Sequence, residues 1–251
     1  MKDTVERFSN RVANYVKYRP SYPAEVLGLF KDEMGLTEAS VIADIGSGPG
    51  ISAKIFLENG NVVYGVEPND SMRDAAEEIL RDFPNFKSTK GTAEETTLPG
   101  SSVDFVTAAQ AFHWFDRERT AIEFRRILKP GGHVVLIWNE RQLDSTPFLR
   151  EYEQFLLQYA TDYPVVRHEN ITGESVREFL GADMQAAVFK NVQVFDFDGL
   201  KGRMLSASYM PTEAHPVFER MLDDLRILFD KHSENDRIEI LYDTNIFYAK
   251  W

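Results

Sequence analysis

From Val41 onward, short β-rich runs, most of them apolar, alternate with helix-period segments, and this alternation restricts the possible folds more than any other feature. The runs are 41–45, 62–66, 86–90, 103–109 and 133–138, separated by helical segments at 51–59, 71–82 and 117–128. Strands that are apolar throughout, rather than at alternate positions, are buried on both faces. The pattern predicts an α/β fold whose parallel sheet is covered by helices on both faces.

The flanks read differently. Phe8, Val12, Tyr15 and Val16 recur at helix spacing, until Pro20 and Pro23 interrupt the pattern; a second helix then carries Val26, Leu27 and Phe30. After Asn139, Thr146-Pro147 opens a helix striped by Phe148, Leu149, Tyr152, Phe155, Leu156 and Tyr159. Residues 161–185 give no clear period. Residues 191–197 alternate as a strand, 216–231 read as a helix, and the last fifteen residues read as one or two strands, with a hairpin about Asp243-Thr244-Asn245. The expected organisation is one domain over 1–251. It comprises a helical lid (1–35), a core (36–139), a helical cap (140–190) and a C-terminal part (191–251) that completes the sheet.

Composition narrows the function classes. With 40 acidic and 28 basic residues the net charge is −12, which opposes nucleic acid and anionic membrane as partners. The chain contains no cysteine, so thiolate metal sites, disulfides and a cysteine nucleophile are excluded. No N-terminal apolar stretch reads as a signal peptide, so a cytoplasmic protein is expected.

The segment Asp44-Ile45-Gly46-Ser47-Gly48-Pro49-Gly50 follows the first strand and opens a helix, at the sheet edge where such folds bind ligands. Its third glycine comes one residue too early for the dinucleotide fingerprint, and no Lys-Ser/Thr pair follows to make a phosphate loop. Further motifs follow in order: Gly65-Val66-Glu67-Pro68 ending strand two, Asp70-Ser71-Met72 opening a helix, Gly91-Thr92-Ala93-Glu94 after strand three, and Leu128 to Gly132 before strand five.

Over residues 40–140 this set resembles the class I S-adenosylmethionine-dependent methyltransferases. The resemblance implies a Rossmann-like, seven-stranded, mostly parallel sheet with one antiparallel C-terminal strand, helices on both faces and a helical cap. It implies S-adenosyl-L-methionine as cofactor, held by Asp44, Gly46, Ser47, Gly48 and Gly50. Glu67 would take the ribose hydroxyls and Pro68 would lie beside it. Met72 would pack on adenine, and Thr92, Ala93 and Glu94 would read the adenine amine. Asp70 is also expected to cap its helix.

The N-terminal Phe8, Ser9, Val12, Ala13, Tyr15, Tyr18, Arg19, Pro20, Tyr22 and Pro23, with Ala109-Gln110-Ala111-Phe112-His113-Trp114-Phe115 after strand four, resemble the trans-aconitate and ubiquinone/menaquinone methyltransferases. By that resemblance Tyr18, Arg19, Gln110 and Ala111 border the cofactor, while Tyr15, His113 and Trp114 border the acceptor. Tyr15, Tyr18 and Trp114 are the aromatic faces available to a sulfonium cation. His113 is the candidate base, because its pKa lies near neutrality.

The expected reaction is methyl transfer to a small-molecule acceptor by in-line displacement, without a metal. Arg19, Arg141, Arg167 and Arg203 supply the guanidiniums that could grip a carboxylic acid, with Arg141 placed in the substrate set. Two rivals remain at this stage: an NAD-dependent oxidoreductase, and a non-catalytic S-adenosylmethionine-binding regulatory protein.

Overall fold

The computed structural model describes residues 12–161 and 173–251. Phe8, Ser9, Arg167 and much of the unassigned 161–185 stretch lie outside the described residues. In chain order the elements are α1 (Val12–Tyr18), α2 (Glu25–Met34), β1 (Val41–Ile45), α3 (Ile51–Glu58), β2 (Val62–Val66), α4 (Asp70–Ile79), β3 (Phe86–Thr89) and β4 (Val103–Ala109). A short 3-10 turn (Phe112–Trp114) follows, then α5 (Arg117–Ile127), β5 (Leu128–Arg141), α6 (Pro147–Tyr159), α7 (Gly173–Leu180), β6 (Gln185–Phe195), α8 (Phe197–Leu205), α9 (Phe218–His232) and β7 (Ile238–Lys250).

The seven strands form one sheet in the order β3-β2-β1-β4-β5-β7-β6. β1 pairs in parallel with β2 (Val41 opposite Val62) and with β4 (Ile42 opposite Phe105), and β3 and β5 extend the parallel set. β7 runs the other way. Gly131 N donates to Trp251 O (3.2 Å) and Gln142 N to Leu241 O (2.9 Å), so β5 rises as β7 falls. This is the Rossmann-like, mostly parallel sheet with a reversed C-terminal strand.

The apolar strands are buried on both faces, as their composition requires. In β1, Ala43 and Ile45 join one cluster, with Val106 of β4 and Val134, Leu136 and Trp138 of β5. Ile42 joins the opposite cluster, with Phe105, Val135 and Ile137. The first face is covered by Phe124 and Ile127 of α5 and by Val176, Phe179 and Leu180 of α7. The second is covered by Val26 and Phe30 of α2 and by Ala53, Phe56 and Leu57 of α3.

Two expectations about where strands begin and end are corrected. Asp243-Thr244-Asn245 does not form a hairpin, because β7 continues through it for 13 residues. The polar groups there are satisfied across the sheet: Asp243 pairs with Lys190 (2.6 Å), and the buried Thr244 hydroxyl donates to Asn139 Oδ1 (2.6 Å). A polar cluster with partners on neighbouring strands has no need of a turn. Likewise, Leu128 to Gly132 lies within β5 as an irregularity. The register jumps from Val103 opposite Leu128 to Phe105 opposite His133, and Gly131 takes the left-handed region at φ 79°. The strand near 191–197 spans Gln185–Phe195, and Asp196 caps α8 instead by accepting from Gly199 N (2.8 Å).

By its internal contacts the described chain divides into two compact units. One comprises 12–20, 140–161 and 190–243, the other 21–139, 173–189 and 244–251. The first has its own core, of Phe148, Leu149, Tyr152 and Leu156 with Leu200, Met204, Met221, Leu225 and Tyr242. The second holds the two clusters that sandwich the sheet.

Candidate functional site

Within the second unit, the carboxyl ends of β1, β2 and β4 bring the glycine loop, Glu67 and the Gln110 segment to one sheet edge. The loop's shape is forced by packing. Gly46 has φ 67°, and a Cβ there would lie 2.6 Å from Ala111 Cβ; Gly50, at φ 86° just before α3, would meet Leu80 Cδ1 at 2.5 Å. Gly48 has open space on its Cβ side. No side chain fits at 46 or 50 without moving the loop.

Asp44 is fully buried. Its Oδ2 accepts from Ser52 Oγ (2.6 Å) and its Oδ1 from Thr107 Oγ1 (2.9 Å). Burial pushes its pKa up to about 6, although both hydroxyls favour the charged form. This carboxylate ties β1, α3 and β4 together beneath the loop and so acts on the loop's position.

Glu67 is placed as a ligand-facing acid would be. Its Oε2 accepts from Gly48 N and its Oε1 from Asn69 N, both at 2.9 Å. Burial raises its pKa, against the pull of those two amides and of Arg73. Each oxygen keeps a second lone pair, enough for two hydroxyls. The cap of α4 is Asn69, whose side chain accepts from Met72 N (3.2 Å), and this corrects the expectation for Asp70. Asp70 is instead the first helical residue and pairs with Arg73 and, at 2.9 Å, with Lys90. Pro68 follows Glu67 directly, and Met72 is buried within α4.

The segment after β3 closes on itself, with Thr92 N donating to Glu95 O (3.0 Å) and Ala93 buried. The Glu94 carboxylate accepts from Asp116 N (2.9 Å), at the start of α5. Behind it Thr96 is held by Glu123, whose pKa is driven down to about 2, chiefly by its hydrogen bonds from Arg126.

Gln110 adopts φ 58°, a conformation rarely taken by a residue with a side chain. Its backbone N donates to Ile137 O (2.9 Å) and its Nε2 to Asn139 O (3.0 Å), which fixes the amide's orientation. The Oε1 is buried with no partner among the described residues. A buried acceptor left open beside the glycine loop suits a ligand donor. The orphaned Gln110 oxygen, the open side of Gly48 and the remaining lone pairs of Glu67 all fit an amine- and hydroxyl-bearing cofactor.

Residues 43–136 match the methyltransferase domain family model. Over this stretch the chain is similar to the methyltransferase domain family, and it is an S-adenosylmethionine-dependent methyltransferase. This methyltransferase is 28% identical over 98% of its length, and 96% of the relative's, to an uncharacterized methyltransferase-like protein of Schizosaccharomyces pombe. It is 37% identical over 56% of its length to an uncharacterized methyltransferase of Mycobacterium bovis, covering 55% of that chain. Among solved structures, a protein assigned as a type II methyltransferase of Anaeromyxobacter dehalogenans superposes with a TM-score of 0.72 at 22% identity. That likeness covers 93% of this chain and 98% of the other, and speaks for the fold. The oxidoreductase alternative is set aside by the family match.

The methyltransferase places its remaining candidate residues in separate surroundings. His113 sits on the 3-10 turn with its ring 4.5 Å from that of Trp114, and Trp114 is 42% exposed. Tyr15, Tyr18, Arg19 and Arg141 belong to the first unit. Arg19 lies over the Tyr15 ring at 4.8 Å, so that face already carries a cation. Tyr18 packs against Gly202 of α8. Arg141 corrects its expectation as a free grip for a carboxylate, because its guanidinium is bound to Glu153 and both side chains are about nine-tenths buried.

Residues that sequence reasoning passed over do much of the positioning. Asn139 gives its carbonyl to Gln110, donates from Nδ2 to Ser21 O (3.1 Å) and accepts from Thr244. Thr107, a polar residue inside an apolar strand, was a signal available in the sequence. Ser52 and Asn139 gave none without their partners.

Proposed function

We propose that this methyltransferase transfers a methyl group from S-adenosylmethionine to a small-molecule acceptor of the carboxylic acid class. The observation that carries the cofactor side is the Gly48–Glu67–Gln110 constellation. Gly46, Ser47, Gly48 and Gly50 shape the loop, and Glu67 accepts from hydroxyls. Gln110 Oε1 accepts from an amine, while Met72, Thr92, Ala93 and Glu94 border the base, with Pro68 and Ala111 closing the sides. Asp44 contributes by holding the loop. When bound, S-adenosylmethionine supplies an electrophilic methyl on a sulfonium.

For such a displacement the chain positions the reactants and excludes water. His113 takes the acceptor proton where the nucleophile is protonated, and orients the acceptor where it is already ionised. Trp114 and Tyr15 stand as acceptor-side aromatics, and Tyr18 and Arg19 as lid residues. The acidic chain and the absence of a cysteine nucleophile favour a small molecule over nucleic acid.

Two measurements test this reading. Calorimetry should show S-adenosylhomocysteine binding that is lost in Glu67→Ala. A screen with labelled S-adenosylmethionine against small acids, phenols and quinol precursors should give product with the acids. Failure to bind S-adenosylhomocysteine sinks the proposal, and product with phenols alone sinks the acid acceptor.

A further inference from the structure

We propose that Glu123 and Arg126 of α5 are positioning residues for the cofactor's base. They brace the segment after β3 in a strained shape, and that shape distinguishes adenine from other purines. The inference rests on the proposed function, since it takes Thr92, Ala93 and Glu94 as the residues that border the base.

The brace is a set of hydrogen bonds within the second unit. Glu123 Oε1 accepts from Thr96 N (2.8 Å), Thr96 Oγ1 (2.5 Å) and Arg126 Nη2 (2.7 Å), and its Oε2 accepts from Arg126 Nε (2.7 Å). Arg126 Nη2 also donates to Leu98 O (2.8 Å), and Leu98 N donates to Thr96 Oγ1 (3.3 Å). Thr96 is fully buried, so its polar groups need these partners. The acid and the guanidinium stand three residues apart, so one turn of a single helix presents both.

Between the two held residues stands Thr97, at φ 65°. A β-branched residue avoids that region and persists there only where its surroundings over-determine it. Here the contacts to Thr96 on one side and to Leu98 on the other do so. The same contacts govern the preceding turn, which Thr92 N closes on Glu95 O (3.0 Å). A Cβ on Gly91 would lie 2.8 Å from Thr96 O and 3.0 Å from Val66 Cγ1, so holding Thr96 sets how closely the turn folds onto the end of β2, beside Glu67. Glu94 Oε1 is fixed in addition by Asp116 N (2.9 Å), the cap of α5. The segment is therefore anchored at three points to one helix and its cap. Polar groups fixed in this way reject a purine whose donors and acceptors are exchanged, because they are left unpaired instead of moving to suit it.

The test compares calorimetric affinities for S-adenosylhomocysteine and S-inosylhomocysteine, which differ in the exchange of the base's 6-amine for a carbonyl. The wild type should prefer the adenine compound by about 100-fold, and Glu123→Gln, which keeps the side chain's size, should cut that preference by about tenfold. Thr97→Gly removes the strain. Added to Glu123→Gln it should restore most of the preference, because a glycine holds φ 65° without a brace. Arg126→Lys keeps the charge but breaks the fork and the reach to Leu98, so it should lower the preference in the same direction. That variant carries the test if Glu123→Gln fails to fold. A purely structural acid would lower the melting temperature and weaken both compounds equally, and that result overturns the brace. So does a double variant no more selective than Glu123→Gln, or a wild type that binds both compounds alike. A wild type that binds neither overturns the proposed function, and this inference falls with it. Binding of the adenine compound with a preference unmoved by Glu123→Gln and Arg126→Lys overturns the brace alone.

Discussion

The ring of Tyr18 lies so close to Gly202 that a Cβ on residue 202 would stand 2.0 Å from Tyr18 Cε2 and 2.3 Å from its Cζ. The contact places α1 directly on α8, and its tolerance is nil. Gly202→Ala should therefore cost about 1–3 kcal/mol of stability by overpacking. In a Tyr18→Ala background the same change should cost less, since the obstructing ring is gone. Chemical denaturation of the four proteins in the cycle measures this, and additive costs would refute the contact.

Gly46→Ala should leave the fold intact by circular dichroism and weaken S-adenosylhomocysteine binding by on the order of 100-fold. The added methyl meets Ala111 at 2.6 Å and sits on a residue at φ 67°, so the loop must shift. Calorimetry with unchanged affinity would show that the loop's shape does not matter to binding.

Asp44 makes stability depend on pH with a definite sign. Its folded pKa of about 6 lies above the ordinary 3.8, so the native state binds a proton that the unfolded chain has released. The stabilisation from neutral Asp44 is full below about pH 4 and is lost as pH rises through about 6. For this fully buried group it amounts to roughly 3 kcal/mol. Asp44→Asn carries no such proton. The stability of wild type minus variant should fall by that amount between pH 4 and 7, and a flat difference would contradict the assignment.

Arg141 and Glu153 are a buried pair, so removing one partner strands the other. Arg141→Met should cost about 3–5 kcal/mol, and adding Glu153→Leu should recover most of it. The double variant should keep its KM for the acid acceptor, because Arg141 is occupied by Glu153. A large rise in KM would return Arg141 to the acceptor site.

Glu67→Gln keeps the size of the side chain and removes its charge. It should weaken S-adenosylhomocysteine by about 10–100-fold, since charge-assisted hydrogen bonds to ribose hydroxyls become neutral ones. Equal binding would place the hydroxyls elsewhere.

The legible parts of this chain share one property, a signal carried by neighbours in sequence. β1, β2 and β4 have the bounds their apolar runs predict, because a strand buried on both faces must be apolar along its whole length. The Asp44 to Gly50 loop was readable for the same reason, since its glycines answer to local backbone geometry. The glycine loop and Glu67 were therefore found together, and Asn69 was missed as a cap by one residue because Asp70 offers the same chemistry.

What the sequence could not state is which polar groups meet. β7 runs through Asp243-Thr244-Asn245 because Lys190 and Asn139 lie beside it, and neither is near in sequence. Four arginines were equivalent candidates for gripping an acid. Of the three that are described, Arg141 is paired with Glu153, whereas Arg19 is held by the Ser206 carbonyl and Arg203 by the Tyr242 phenol. Local pattern determined the sheet and its cofactor loop, since backbone and burial rules act over a few residues. Only the tertiary structure decided the charges, because electrostatics depends on distance through space and on the depth of burial.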